Sequence, residues 1–409
     1  MTGRYVGIDL NEKYAMISCY ADGMSEPSTF SMVTGSEVYQ IPLCVSKRKG
    51  VGQWFFGEEA KRYAREEKTP CIEGLLKRAL VNETVEVEGI IYDTAELLFV
   101  FLKKLLGLPL AFEGENSLDK LVITLESVNQ EVRELLLQFA ERILLPAKKL
   151  MLVDYRESFY YYALSQSREL CLHDVALYYY TSKKLLFFKL SHDRRTVPQV
   201  VTIDEKIYDA MLKDRDAEFA VIAEDSLAKN VVSSVYLIGD GFEGNWLKRS
   251  LSVLCRNRRT FMGKNLFCKG ACYAAAVRAG KVDWQYIYLG DSELKVNVSL
   301  KVRQLDKTEF LSLLTAGDNW YEAGSTCEVI LSGKPSIDLY LQPPKSREAV
   351  VKTLDLDGFP DRKDKMSRLR ITAKPVSADK VSFTIRDMGF GELVKSSDKV
   401  WEYEMSCDK

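Results

Sequence analysis

Histidine is almost missing from this sequence: His173 and His192 are the only two in 409 residues. A His-rich metal centre or a histidine-based catalytic triad therefore has almost nothing to work with. Paired cysteine motifs are missing as well. The nine cysteines are scattered with no CxxC pair, and the odd count sets aside a disulfide framework in favour of a reducing compartment. The closest two, Cys268 and Cys272, stand beside an Ala-rich run at the spacing of thiols buried on one helix face. Neither sign of charge dominates, with 57 Lys+Arg against 58 Asp+Glu, so a basic footprint for nucleic acid is not expected. No run of about 18 apolar residues occurs, and MTGRYVGIDL lacks a signal-peptide pattern. The expectation is a cytoplasmic protein with no membrane or nucleic-acid partner, and without metal-hydrolase or thiol chemistry.

What is present is ordinary globular material, 46% hydrophobic and 28% charged, enough for a well-buried core over about two to four domains. Tyr5 to Leu10 is a short apolar strand. The polar turn Asn11-Glu12-Lys13 leads to a second apolar run, Ala15 to Tyr20, which predicts a hairpin with Asp9 near the end of its first strand. Residues 51–56 predict a strand, Gly57 to Arg65 a helix and Thr94 to Leu106 an apolar-periodic helix. Leu121 to Leu125 is a buried-type strand. It enters Ser127-Val128-Asn129-Gln130, a capping-box pattern before helically spaced Val132, Leu135, Leu136, Phe139 and Ile143. Strand, cap and helix in that order form an α/β crossover unit. Strands follow at 149–153 and 175–190. Val235 to Ile238 enters Gly239-Asp240-Gly241 and a helix carrying Leu247, Leu251 and Leu254, and Cys268 to Val277 suits a helix packed closely on a sheet.

The pattern changes near residue 290. From Leu294 to Arg303 apolar and polar residues alternate without a break, as in a half-exposed strand. Strands are expected around 326–332, 337–342, 368–374 and 380–386, with one short helix near 307–315. The predicted organisation is an α/β domain over 1–290 and an antiparallel β-sandwich over 291–409.

The order of segments resembles the DnaK-type heat-shock chaperones (the heat shock protein 70 family). Gly7-Ile8-Asp9-Leu10 resembles their opening phosphate hairpin. Ile41-Pro42 with Gly57-Glu58-Glu59-Ala60-Lys61-Arg62 resembles their IPS…GEEAKR stretch, and Ile72 to Leu80 their KRL segment. Val122-Ile123-Thr124 to Arg142 is similar to their VITVPA…R strand and helix, Val235 to Leu251 to the adenosine motif, and Gly263 to Val277 to the helix closing the ATPase domain. Gly358-Phe359-Pro360 through Gly391 resembles part of their β substrate domain. No one motif is specific; their collinearity over most of the chain carries the resemblance. It implies a two-lobed α/β actin-like (ribonuclease H-like) ATPase fold followed by the β-sandwich.

The resemblance also implies a site for ATP or ADP with Mg²⁺: Asp9 holding the metal through water, Glu157 as a candidate catalytic carboxylate two residues out of register, and Gly239, Asp240 and Gly241 at the adenosine. Its motifs are degraded here. Asn11 stands where the family has glycine, and Lys13 where it has threonine. The second glycine-rich turn falls on Tyr179-Tyr180-Thr181-Ser182-Lys183-Lys184, with Tyr179 in the carboxylate's place. A side chain at a former glycine blocks close backbone approach to phosphate. The short stretch between Val175 and Val235 leaves no length for the subdomain that clamps the base. Asp9 is also readable as a strand-end aspartate serving turn amides, Gly239-Asp240-Gly241 as a plain strand-to-helix turn, Lys183-Lys184 as a solvated pair, and the tyrosine triplets 160–162 and 178–180 as core with hydroxyls at the edge.

The expected function is a chaperone-like protein that binds polypeptide or a protein partner through its β domain, with nucleotide binding and hydrolysis weak or lost. The alternatives are an ATPase or ATP-gated switch with an altered phosphate site, and a filament-forming scaffold, against which the β domain argues.

Overall fold

A computed structural model of the chain describes residues 4–33, 35–110, 118–211, 213–228, 231–305 and 307–406. It is a mixed α/β protein with several sheets and, among the described residues, eight α-helices. The chain divides into two compact units. One comprises the residues up to Leu190 with Ile203–Trp284, and the other Ser191–Thr202 with the residues from Gln285 onward.

The first unit contains two sheets built on one plan. In the first, strand Arg4–Leu10 pairs antiparallel with Tyr14–Ala21 and parallel with Leu118–Leu125, which pairs parallel with Leu150–Asp154. In the second, Asp174–Tyr180 pairs antiparallel with Lys184–Asp193 and parallel with Val232–Ile238, which pairs parallel with Arg259–Gly263. Each half therefore runs hairpin, helix, strand, helix, strand, helix. The connecting helices are Thr94–Leu110 and Gln130–Arg142 in the first half, and Arg215–Leu227 and Arg249–Leu254 in the second. The closing helices are Tyr155–Leu164 and Leu266–Arg278.

Local sequence explains these elements. Arg4–Leu10 is buried along its whole length, as a central strand covered on both faces must be. The hairpin turn is fixed by the Asn11 Oδ1 atom, which accepts from the amides of Lys13 and Tyr14, both at 2.9 Å. Helix Leu266–Arg278 packs closely on this strand at Gly7. A Cβ at Gly7 would sit 2.3 Å from the Cys268 carbonyl oxygen, and one at Gly270 would sit 2.1 Å from that of Ser158 on the other closing helix. Cys268 and Cys272 are buried on this helix, as their spacing predicts.

Two regions differ between the halves. Between the first hairpin and helix Thr94–Leu110 the chain inserts small strands and helices, among them Cys44–Lys47, Trp54–Phe56, Gly57–Glu67 and Ile72–Glu73. At the corresponding point of the second half, strand Gln199–Asp209 passes to helix Arg215–Leu227 with no further element among the described residues.

The second unit is strand-rich. Lys307–Leu314, Asn297–Gln304, Ser336–Gln342 and Val350–Asp355 form one four-stranded antiparallel sheet; Ser325–Ile330, Arg368–Ser377, Lys380–Asp387 and Val400–Ser406 form another. Both contribute to one apolar cluster, with Val298, Leu300, Leu339, Ile371, Phe383 and Ile385 at its centre. In the same unit, Tyr286–Tyr288 pairs in parallel with Gln199–Val201.

Several expectations need correction. The helix near 307–315 is a strand: its residues pair with Asn297–Gln304 from Gln304↔Lys307 onward, and this pairing overrides a locally helical spacing of apolar residues. The cap of helix Gln130–Arg142 is Asn129, whose side chain accepts from the Val132 amide at 2.9 Å, not Ser127. Leu247 precedes the short helix Arg249–Leu254. The strand expected from Leu294 begins at Asn297, although Leu294 and Val296 are buried.

Candidate functional site

The parallel strands of the first unit end together, which is where α/β folds place ligands. Asp9 is the register partner of Thr124, and Leu125 that of Asp154. In the second sheet Tyr179 is the partner of Ile238. These ends form a narrow cleft lined by Asp9, Tyr14, Tyr179, Gly239, Asp240 and Phe267, among others. The room inside it for a bound molecule is only about 10 Å³, enough for about one water.

Asp9 is the chemical centre of this cleft. It is buried, and its Oδ1 accepts a 2.8 Å hydrogen bond from the Tyr155 hydroxyl. Burial pushes its carboxyl up to about 7, partly offset by that hydrogen bond. Tyr155 is the first residue of its helix, and the Asp154 side chain caps that helix by accepting from the Glu157 amide at 2.8 Å. Its ring stacks flat on Phe267, with centroids 4.0 Å apart, and Tyr179 meets both rings edge-on at 5.5 and 5.4 Å. Burial, and then the Asp9 charge, raise the phenols of Tyr14, Tyr155 and Tyr179, so these rings remain neutral donors.

The two hairpin turns that flank the cleft use their amides internally. Asn11 takes the Lys13 and Tyr14 amides, and Thr181 Oγ1 accepts from those of Lys183 and Lys184 at 3.3 Å. Lys184 pairs with Glu126 and Lys264 with Glu243, so both cations already have carboxylate partners. The residues do not fit Mg²⁺ with a triphosphate. A phenol engages one oxygen of Asp9, burial favours its neutral form over the carboxylate that a hydrated cation needs, and the amides that would face phosphate are turned to side-chain oxygens.

The predicted site residues separate. Asp9, Gly239 and Asp240 line the cleft. Asp240 accepts from Gln40 Nε2 at 3.0 Å. Gly239 and Gly241 are explained by Tyr180: a Cβ at Gly239 would sit 2.2 Å from its carbonyl oxygen, and one at Gly241 would sit 2.3 Å from its ring. Glu157 lies elsewhere. Two positions along a helix turn a side chain to the opposite face from Tyr155, and Glu157 is buried 3.8 Å from the Arg278 guanidinium. That region includes Tyr161, whose hydroxyl accepts from Arg278 Nε at 3.0 Å, and Tyr160, which receives the Trp284 indole N–H. Tyr178 hydrogen-bonds Ser226, and Tyr180 donates to the Met211 carbonyl. Five of the six triplet tyrosines are buried and Tyr162 is half-buried.

Sequence reasoning missed Tyr155 as the partner of Asp9 and Phe267 as the ring stacked on Tyr155. The one available signal was Asp154-Tyr155 at the junction of a strand with a helix, which puts Tyr155 on the first helical turn beside the strand ends.

Residues 26–291 match the family described as "Family of unknown function (DUF5716) C-terminal". Residues 293–407 match the description "Domain of unknown function (DUF8552)". No curated protein matches the chain. No described helix is long and apolar enough to cross a membrane.

Proposed function

The chain belongs to the DUF5716 family of unknown function by its match over residues 26–291; from the order of its segments and the geometry of its cleft we propose that it is a chaperone-like, DnaK-related protein that binds polypeptide or a protein partner and has weak or no use of nucleotide. The first unit is then an actin-like, ribonuclease H-like pair of lobes. The repeated strand order of its two sheets supports this reading. The second unit is a β-sandwich substrate-binding-like domain, supported by two antiparallel sheets that share one core.

The observation that carries the proposal is the Asp9–Tyr155 hydrogen bond beneath the Tyr155–Phe267 stack. On an ATPase of this fold, that is where the metal-bound phosphates would sit. With the phosphate position filled by aromatic side chains, protein surfaces are what the fold retains for function. The second unit offers one: Phe310 is 60% and Val351 49% exposed. The Phe310 ring meets Tyr340 at 5.1 Å, and Tyr340 is the register partner of Val351. Apolar side chains along a sheet face, beside strand edges, suit an extended peptide.

The proposal is tested by titrating the full chain with Mg-ATP to millimolar concentration in a thermal-shift assay, alongside binding to a peptide array. The expected result is no shift with nucleotide, and peptide binding that falls at least tenfold in Phe310→Asp. A clear rise in melting temperature with ATP would establish the ATP-gated alternative. Peptide binding unaffected by Phe310→Asp would remove the second unit as its carrier.

A further inference from the structure

The insertion in the first half brings Cys44 together with two side chains, Cys71 and Glu73, that lie far from it in sequence. Cys44 on strand Cys44–Lys47 is the direct register partner of Glu73 on the antiparallel strand Ile72–Glu73, so the two project from the same face. Cys71 stands two positions before Glu73 and, by strand alternation, projects the same way. The two sulfurs and a Glu73 carboxylate oxygen all lie within 4.8 Å of one another.

Two sulfurs with one carboxylate oxygen make a donor set for a borderline-soft divalent cation, unsuited to Mg²⁺ or Ca²⁺, which take oxygen ligands. Bonds of about 2.3 Å from sulfur and about 2.0–2.2 Å from oxygen place tetrahedral donors nearly 4 Å apart, so small side-chain rotations close the set on an ion. Access is graded in the sense such a site needs. Cys44 is buried, Cys71 half-buried and Glu73 exposed, so an ion enters at the carboxylate and is anchored by the inner sulfur. The Lys61 ammonium lies 3.6 Å from Glu73, a counter-ion that the metal would displace. We propose that Cys44, Cys71 and Glu73 bind Zn²⁺ or a chemically similar cation, with a fourth position left for water. Each thiol releases its proton to solvent on binding, and the bound ion ties the two strands together.

The test uses the metal-free, full-length chain kept reduced with a phosphine and titrated with Co²⁺. The expected result is a thiolate-to-cobalt charge-transfer band saturating at one equivalent and bleached by Zn²⁺. Cys71→Ser should remove most of that band, Glu73→Gln should weaken binding at least tenfold, and Lys61→Met should tighten it several-fold by removing a competing charge. Cys327→Ser, at a thiol in the second unit, should leave the titration unchanged. Cys71 and Glu73 are partly exposed, so these variants keep the test open even if Cys44→Ser fails to fold. Absence of the band in the reduced wild type, or its survival in Cys71→Ser, would overturn the proposal. So would a reduced wild type that binds no cobalt yet forms a Cys44–Cys71 disulfide with diamide, which would make the pair a redox element instead.

Discussion

Among the described residues, each unit buries one aspartate almost completely, and the two are treated in opposite ways. Asp387 in the second unit is held by both arms of the Arg362 guanidinium at 2.8 Å, by the Ser397 amide and hydroxyl, and by the Gly389 amide. Burial raises its carboxyl, but the Arg362 and Ser397 bonds outweigh that and hold it well below the usual range. Asp9 in the first unit is as inaccessible to solvent but lies deeper in the protein, and the hydrogen bond it accepts comes from a neutral phenol, so its carboxyl rises to about 7. Burial alone therefore does not decide an aspartate's state. A cation and amides make Asp387 a fixed anion that joins strand Lys380–Asp387 to the loop at Ser396-Ser397, whereas Asp9 retains its proton until near neutrality.

Removing one partner of the buried ion pair should have the largest effect. Asp387→Ala is expected to cost about 3–5 kcal/mol, because it strands the Arg362 charge in the interior. Urea unfolding followed by the fluorescence of Trp401, which is packed in that core, measures it. A loss below 1 kcal/mol would mean that the two aspartates differ only in appearance.

Asp9→Asn should act in the other direction, gaining about 4 kcal/mol at pH 8. The sign follows from which state holds the proton. Between about pH 4 and 7 the unfolded Asp9 is ionised and the folded one protonated, so its contribution to stability falls as pH rises through that window. For Asp387, with its depressed value, the contribution is present above about pH 4 and is lost on acidification. Hydrogen exchange resolved by segment across pH 3–8 should show the two units sloping in opposite senses, with the first slope flattened in Asp9→Asn.

Tyr155→Phe is the smallest perturbation. It keeps the stack on Phe267 but removes the donor to Asp9, at a cost of about 1–2 kcal/mol. It should also shift the Asp9 slope to higher pH. An unmoved slope would show that the phenol does not set the Asp9 titration.

Much of the fold was legible because its signals are local. The alternation at Val381, Phe383 and Ile385 and the apolar run at Leu121 to Leu125 each announce a strand within a few residues. The hairpin at Asn11 is fixed by an interaction three positions long. Asp9, Gly239 and Asp240 were identified from segment order, and they do line one cleft. What escaped depends on register between distant segments. Nothing near Tyr155 in sequence says that its hydroxyl meets Asp9, 146 positions earlier. Cys44 and Cys71 show no paired motif along the chain and become neighbours only through the pairing of two short strands. Strand Lys307–Leu314 was misassigned for the same reason, since its partner and not its own spacing fixes it.

The glycine contacts of helix Leu266–Arg278 have a mechanical consequence. Gly7 beneath it and Gly270 within it set backbone against backbone on both sides, toward the first strand and toward helix Tyr155–Leu164. Side chains at such seams act as bearings: they change rotamer and let one element slide past another. Where backbone meets backbone, as at Gly7 and Gly270, there is little such play. A force applied along the helix is therefore passed closely to the strand that carries Asp9 at these two points.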